Sequence, residues 1–112
     1  YYQQLQEGEL LVLPVDGDGH SWHMFCVCVD HAELGTTREA ILARFSEQGI
    51  AVGIHYPAMH LFSLYRRMGY SEGDFPVAER IGSQTLTLPL FPAMRESDVE
   101  HVCDTLNTIL SS

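Results

Sequence analysis

From Ser21 to Asp30 the chain reads SWHMFCVCVD, an almost unbroken run of aromatic, sulfur-containing and branched side chains. Such a run predicts a β-strand. Alternation places Trp22, Met24, Cys26 and Cys28 on one face and His23, Phe25, Val27 and Val29 on the other. Both faces are apolar, so the strand is expected inside a sheet and covered on both sides, with His23 the polar exception near its start. A second strand is expected over Gly49–His55, GIAVGIH, and a third strand or extended piece over Thr85–Leu90, TLTLPL. Pro89 and Pro92 mark that last piece as an edge or a strand end.

Helical spacing is clearest near the C-terminal end. Val99, Val102, Cys103, Leu106, Ile109 and Leu110 recur at i, i+3, i+4 and i+7, and Ser97 with Glu100 reads as a capping box ahead of them. Thr36 with Glu39 reads as another capping box, opening a helix whose stripe of Ile41, Leu42 and Phe45 stops at Gly49. Leu61–Tyr70 predicts a short helix or turn ended by Gly69. Asp74 is expected to cap a further short helix with Pro76 in its first turn, where a missing N–H costs nothing. Tyr1–Gln6 has no capping residue and reads as the tail of a helix, while DGDGH at Asp16–His20 is loop material. Strands and helices alternate without an internal repeat. The expected fold class is α+β, a small α/β layer in which a short three- to four-stranded mixed or antiparallel sheet carries helices largely on one face.

With 112 residues, 46% of them hydrophobic and 19% charged, residues 1–112 form a single domain with an ordinary core. No apolar run approaches the roughly 18 residues that span a bilayer, and no secretion signal stands near Tyr1, so no membrane contact and a cytoplasmic location are expected. A formal charge of -9 argues against nucleic acid as a partner. Cys26, Cys28 and Cys103 are odd in number and lie in apolar patterns, which predicts reduced packing residues. All six basic residues are arginines: Arg38, Arg44, Arg66, Arg67, Arg80 and Arg95. Chemistry that depends on a lysine Schiff base cannot be completed by this chain alone.

The densest candidate chemistry lies at 53–60, GIHYPAMH. The H-x4-H spacing of His55 and His60 is not a zinc-binding helix motif, and cysteines on a core strand do not aim two sulfurs at one ion. No Gly-x-Ser-x-Gly elbow supports a nucleophilic enzyme. A tyrosine flanked by histidines at a strand end can donate and accept hydrogen bonds, stack on a ring and lie against a phosphate without permanent charge. A ligand-contact loop is therefore expected, although any one of these histidines is as readily explained by a helix cap or a backbone carbonyl. Prolines ending a strand account for TLPLFPAM at 87–94 without a ligand.

Four motifs in order, GIAVGIHYPAMH, LYRRMGY, GDFPVAERIGSQTLTLPLFPAM and SDVEHVCDTL, resemble the C-terminal small domain of the DegT/StrS family of sugar aminotransferases. These are pyridoxal-phosphate (PLP) enzymes of aspartate aminotransferase fold, and the resemblance covers nearly the whole chain. It implies a large N-terminal domain that carries PLP and its lysine, a homodimer partner, and a small domain that packs over the cofactor cleft and helps bind a nucleotide-linked keto-sugar. By position, His55, Tyr56 and His60 would face the sugar nucleotide, and the Trp22-His23 pair matches the family's first strand, which adds His23 to the substrate-binding set. No catalytic, cofactor-binding or metal residue is implied in this chain. Gly73–Pro76, Ala78–Arg80 and Leu88–Pro92 are implied to be structural, and Tyr1–Gln6 to be the tail of an interdomain helix. Ser63-Leu64 departs from a proline found in many members before the aromatic residue at Tyr65, which bears on the substrate. Arg66, Arg67 and Arg80 are available to the amino donor's carboxylate. The full enzyme would move an amino group from a donor such as glutamate onto the keto-sugar, a step of polysaccharide or lipopolysaccharide biosynthesis. This chain would be an inactive fragment of it, binding no PLP itself. The alternative is a free-standing binding or regulatory module that kept the fold and lost the chemistry.

Overall fold

The computed structural model describes every residue from Tyr1 to Ser112. Its sheet is built around the apolar stretch that dominates the sequence. Leu11–Val12 (β1), Phe25–Val29 (β2) and Thr85–Leu88 (β3) form an antiparallel sheet of order β1-β2-β3. Leu11 faces Val29 on one side of β2, and on the other Phe25 faces Leu88 and Cys28 faces Thr85.

Alternation along β2 then sorts its side chains. Phe25, Val27 and Val29 are buried, in one core with Ile41 and Phe45 of the helix Arg38–Glu47 (α1) and with Val102, Cys103, Leu106 and Ile109 of the C-terminal helix. Phe45, Val27 and Leu106 are wholly shielded from solvent. The opposite face is only half-covered, since Met24, Cys26 and Cys28 keep partial exposure. Covering on both sides was the expectation; one face carries the core, and the other meets mainly the helix Pro76–Gln84, which contacts β2.

The strand expected at Gly49–His55 is absent. Ile50 N–H turns back to the Phe45 carbonyl as α1 ends, with Gly49 at φ +72°, so the segment's first residues close a helix rather than open a ladder. Only Gly53 pairs, donating to the Thr87 carbonyl at 3.0 Å and accepting from Thr87 N–H at 2.8 Å. Beyond it the chain forms a 3-10 turn at Met59–Leu61 and the short helices Ser63–Arg67 (α2) and Pro76–Gln84 (α3). Gly69, at φ +103°, follows α2 as expected. Tyr1–Gln6 forms one turn, with Gln4 and Leu5 N–H both on the Tyr1 carbonyl and Leu5 buried.

Three caps differ from expectation, each because another group reaches the helix end first. Thr37, not Thr36, caps α1, its hydroxyl accepting from Ala40 N–H. The C-terminal helix, Glu96–Leu110 (α4), starts ahead of Ser97 with Arg95 at its N-cap: the Asp98 carboxylate accepts from the Arg95 amide at 2.9 Å and pairs with its guanidinium at 2.8 Å. Hydrogen bonds from Arg95 pull the Asp98 pKa down to about 2. Asp74 does not cap α3 because it accepts from Ser71 N–H in the preceding turn. Glu79 serves that helix end instead, accepting from Gly73 N–H at 2.9 Å, from Phe75 N–H at 3.3 Å, and from His60 Nε2 at 2.8 Å.

Glu79 therefore ties the 3-10 turn, the 71–75 turn and α3 together. Burial alone would raise its pKa, but the hydrogen bonds from His60, Gly73 and Phe75 outweigh that and hold the carboxyl below its ordinary value. No helix is long and apolar enough to cross a membrane.

Two outcomes test this account. Phe45→Ala should cost about 3–5 kcal/mol in urea unfolding and Thr37→Ala only about 1 kcal/mol, because the first opens a cavity and the second removes one cap. Since the folded-state pKa of Glu79 lies below the unfolded one, its stabilisation is complete above the ordinary carboxylate range and is lost as pH falls through the folded value. Acid titration followed by amide resonances should loosen Gly73 and Phe75 before the β2 amides, and Glu79→Gln should abolish that early step.

Candidate functional site

On the half-covered face of the sheet, side chains from three segments meet. The Gly53–Thr87 bridge delivers His55 to the β3 edge, where its Nδ1 lies 2.8 Å from Thr87 Oγ1; that oxygen is 3.3 Å from Cys26 Sγ on the neighbouring strand. The ring folds back over Gly53, where a Cβ would stand 2.6 Å from His55 Cε1. What position 53 requires is the absence of a side chain. His55 is half-buried, and the next residue, Tyr56, is 68% exposed with its ring edge-on to the imidazole at 4.9 Å. The peptide between them is cis.

The loop that follows is anchored by close packing. A Cβ at Gly82 in α3 would come within 2.5 Å of the Ala58 amide nitrogen, so backbone lies against backbone there. His60 is buried, its Nε2 committed to Glu79 and its ring edge-on to Phe75 at 4.9 Å. It faces inward. His23 is exposed just ahead of β2, and no hydrogen bond or ring contact joins it to His55, Tyr56 or His60. Beside it, Trp22 takes a φ of +47°, uncommon for so bulky a residue, with its amide on His20 Nδ1 and its ring stacked on the His20 imidazole at 4.1 Å. Of the expected quartet, the structure brings His55 and Tyr56 together and sets His60 and His23 apart.

Thr87 and Cys26 are the members sequence reasoning missed. The polar-apolar alternation of TLTL was a usable signal for Thr87, since Leu86 and Leu88 point to the core. Cys26 looked like packing material because its neighbours are apolar. Burial raises the Cys28 and Cys103 thiols above their ordinary values, with Arg80 partly opposing the rise at Cys28, so neither is an activated nucleophile. No three His, Cys, Asp or Glu side chains gather as a metal site.

The segment that starts at this pair leaves many large apolar side chains in solvent. Tyr56, Met59, Phe62, Leu64, Met68 and Val77 are all exposed. So concentrated a set of large apolar groups is typical of a contact surface. Arg66 Nε is occupied by the Leu61 carbonyl, whereas the guanidinium groups of the exposed Arg67 and Arg80 donate no hydrogen bond within the chain.

Residues 1–107 match the model of the DegT/DnrJ/EryC1/StrS aminotransferase family. The chain is similar to the spore coat polysaccharide biosynthesis protein SpsC of Bacillus subtilis (strain 168), with 36% identity over 114 residues, covering 98% of this chain and 29% of that protein. It is similar in structure to the aminotransferase TlmJ from Streptoalloteichus hindustanus, with a TM-score of 0.76 and 31% identity over 97% of this chain and 28% of that one. It shares its fold with Spr1654 from Streptococcus pneumoniae in the PLP form, at a TM-score of 0.79 and 22% identity, over 93% of this chain and 27% of that one. In each case the chain spans less than a third of its relative's length. With its motifs, its antiparallel three-stranded sheet and its helices in agreement, the chain belongs to the DegT/DnrJ/EryC1/StrS aminotransferase family.

Proposed function

We propose that this chain is the C-terminal small domain of a PLP-dependent aminotransferase that moves an amino group from a donor such as glutamate onto a nucleotide-linked keto-sugar. The observation that carries the reading is an exposed Tyr56 beside a His55 ring pinned to β3, two hydrogen-bonding groups at the start of a segment rich in exposed apolar side chains. Family membership and the small share of each relative's length support a larger N-terminal partner domain.

PLP does not fit this chain by itself. Its six basic residues are all arginines, so no side chain can hold the cofactor as a lysine Schiff base. In this reading the cofactor and its chemistry reside on the large domain, in a cytoplasmic homodimer, and the small domain is inactive alone. Its own residues bind and exclude. The Tyr56 hydroxyl donates to or accepts from a sugar or phosphate oxygen, and His55 offers its outer nitrogen. His23, exposed ahead of β2, is a further substrate contact; His60, bound to Glu79, holds the loop in place. The apolar surface from Tyr56 to Val77 closes the cleft against water, which strengthens polar contacts inside.

In the full-length enzyme, His55→Ala or Tyr56→Phe should raise KM for the nucleotide sugar about threefold to tenfold, the value of one or two lost hydrogen bonds, while PLP absorbance stays unchanged. Equal loss of cofactor and substrate would show that the loop has been misassigned. The isolated chain leaves its apolar surface uncovered, so sedimentation should reveal concentration-dependent self-association. Leu64→Glu combined with Met68→Glu should suppress it without altering the circular dichroism; association unchanged by the charges would place the sticky surface elsewhere.

A further inference from the structure

Thr87 does more than anchor His55. Its Oγ1 has two neighbours, His55 Nδ1 at 2.8 Å and Cys26 Sγ at 3.3 Å, but only one proton to give. The hydroxyl can donate to Nδ1 while accepting from the Cys26 thiol, accept from Nδ1–H while donating to sulfur, or accept from both and leave its own proton without a partner. A neutral imidazole nitrogen is a good acceptor, whereas sulfur is a weak one. The third leaves a half-buried donor idle, the other two each pair one strong bond at nitrogen with one weak bond at sulfur, and the intrinsic preference of a neutral histidine for Nε2–H favours the first. That arrangement leaves the imidazole proton on Nε2.

We infer that Thr87 fixes the neutral His55 ring as its Nε2–H tautomer, so that the outer nitrogen is presented as a hydrogen-bond donor to a phosphate, carbonyl or hydroxyl oxygen of the ligand. Gly53 completes the device. Its missing side chain lets the ring lie flat enough to reach Thr87, and its two backbone hydrogen bonds to Thr87 hold both partners in one frame. Thr87 and Gly53 are positioning residues, acting through His55. The arrangement selects an oxygen acceptor over a cationic donor, which favours the diphosphate or sugar end of a nucleotide sugar. That last step rests on the reading of His55 as a substrate contact; the tautomer is a property of this chain alone.

The test is a long-range 15N imidazole correlation spectrum of this chain at about pH 8, above the ordinary histidine range. His55 should show a pyridine-like Nδ1 and a pyrrole-like Nε2. Thr87→Val should move both nitrogen shifts toward the averaged values of a free imidazole, in which Nε2–H already predominates, whereas Thr87→Ser and Cys26→Ala should keep the fixed pattern, the latter because only a donor to Thr87 is removed. Gly53→Ala should lose it with the hydroxyl still in place, by pushing the ring away. A pyrrole-like Nδ1 in the unmodified chain overturns the inference, whatever the variants do. So does an unchanged pattern in a Thr87→Val chain whose amide spectrum is native. In the full-length enzyme Thr87→Val should raise KM for the nucleotide sugar about threefold to tenfold with kcat nearly unchanged, and Thr87→Ser should restore it. A native KM in Thr87→Val overturns the ligand half of the inference. If His55→Ala leaves KM unchanged while the Nε2–H pattern is present, the substrate reading fails and the positioning stands.

Discussion

Everything in this fold depends on β2 being paired on both edges. Once its backbone groups are satisfied by β1 and β3, its side chains must divide between two faces, and the burial of Phe25, Val27 and Val29 against α1 and α4 decides which face is which. A slip of one residue would exchange the faces, so the register is strongly specified by that apolar set. The same choice turns Cys26 outward to Thr87. Core and site are two sides of one strand.

Elements whose cause is local were legible in the sequence. The i, i+3, i+4 stripe of α4 and the apolar run of β2 survive into the fold because each encodes its own period. Segments whose fate depends on distant partners were not. GIAVGIH looks like a strand, yet its start is consumed by the end of α1 and its last turn by a histidine ring closing on Gly53, which leaves a single bridge. Caps failed for a related reason. Sequence spacing finds a hydroxyl or carboxylate near a helix start, but which one reaches the amide depends on competitors such as the Arg95–Asp98 pair and Glu79.

The candidate site shows the same division. His55 and Tyr56 were visible because histidine and tyrosine crowd around a proline. The roles of their neighbours were not, because His60 and Glu79 are far apart in sequence and meet only when α3 packs on the loop. A buried imidazole bound to a carboxylate with three donors is structural in effect, since it joins the 3-10 turn to the start of α3. Thr87 was harder still. Nothing about a threonine in an edge strand announces a histidine partner until Gly53 pairs opposite it.

These attachments give the loop an uneven stiffness. At one end His55 is held by a strand hydroxyl and a backbone bridge; at the other, Ala58 is pressed against Gly82 and His60 is bound by Glu79. Between these fixed points Tyr56 stands in solvent, with only the edge of one ring to lean on. A ligand contact built this way loses little entropy at the imidazole and more at the phenol, so orientation falls to His55 and accommodation to Tyr56. Most of the large apolar side chains that follow, from Met59 to Val77, are exposed within this chain. A pinned imidazole and an adaptable phenol at the head of such a segment suit a contact that is completed only when a second surface closes over the loop.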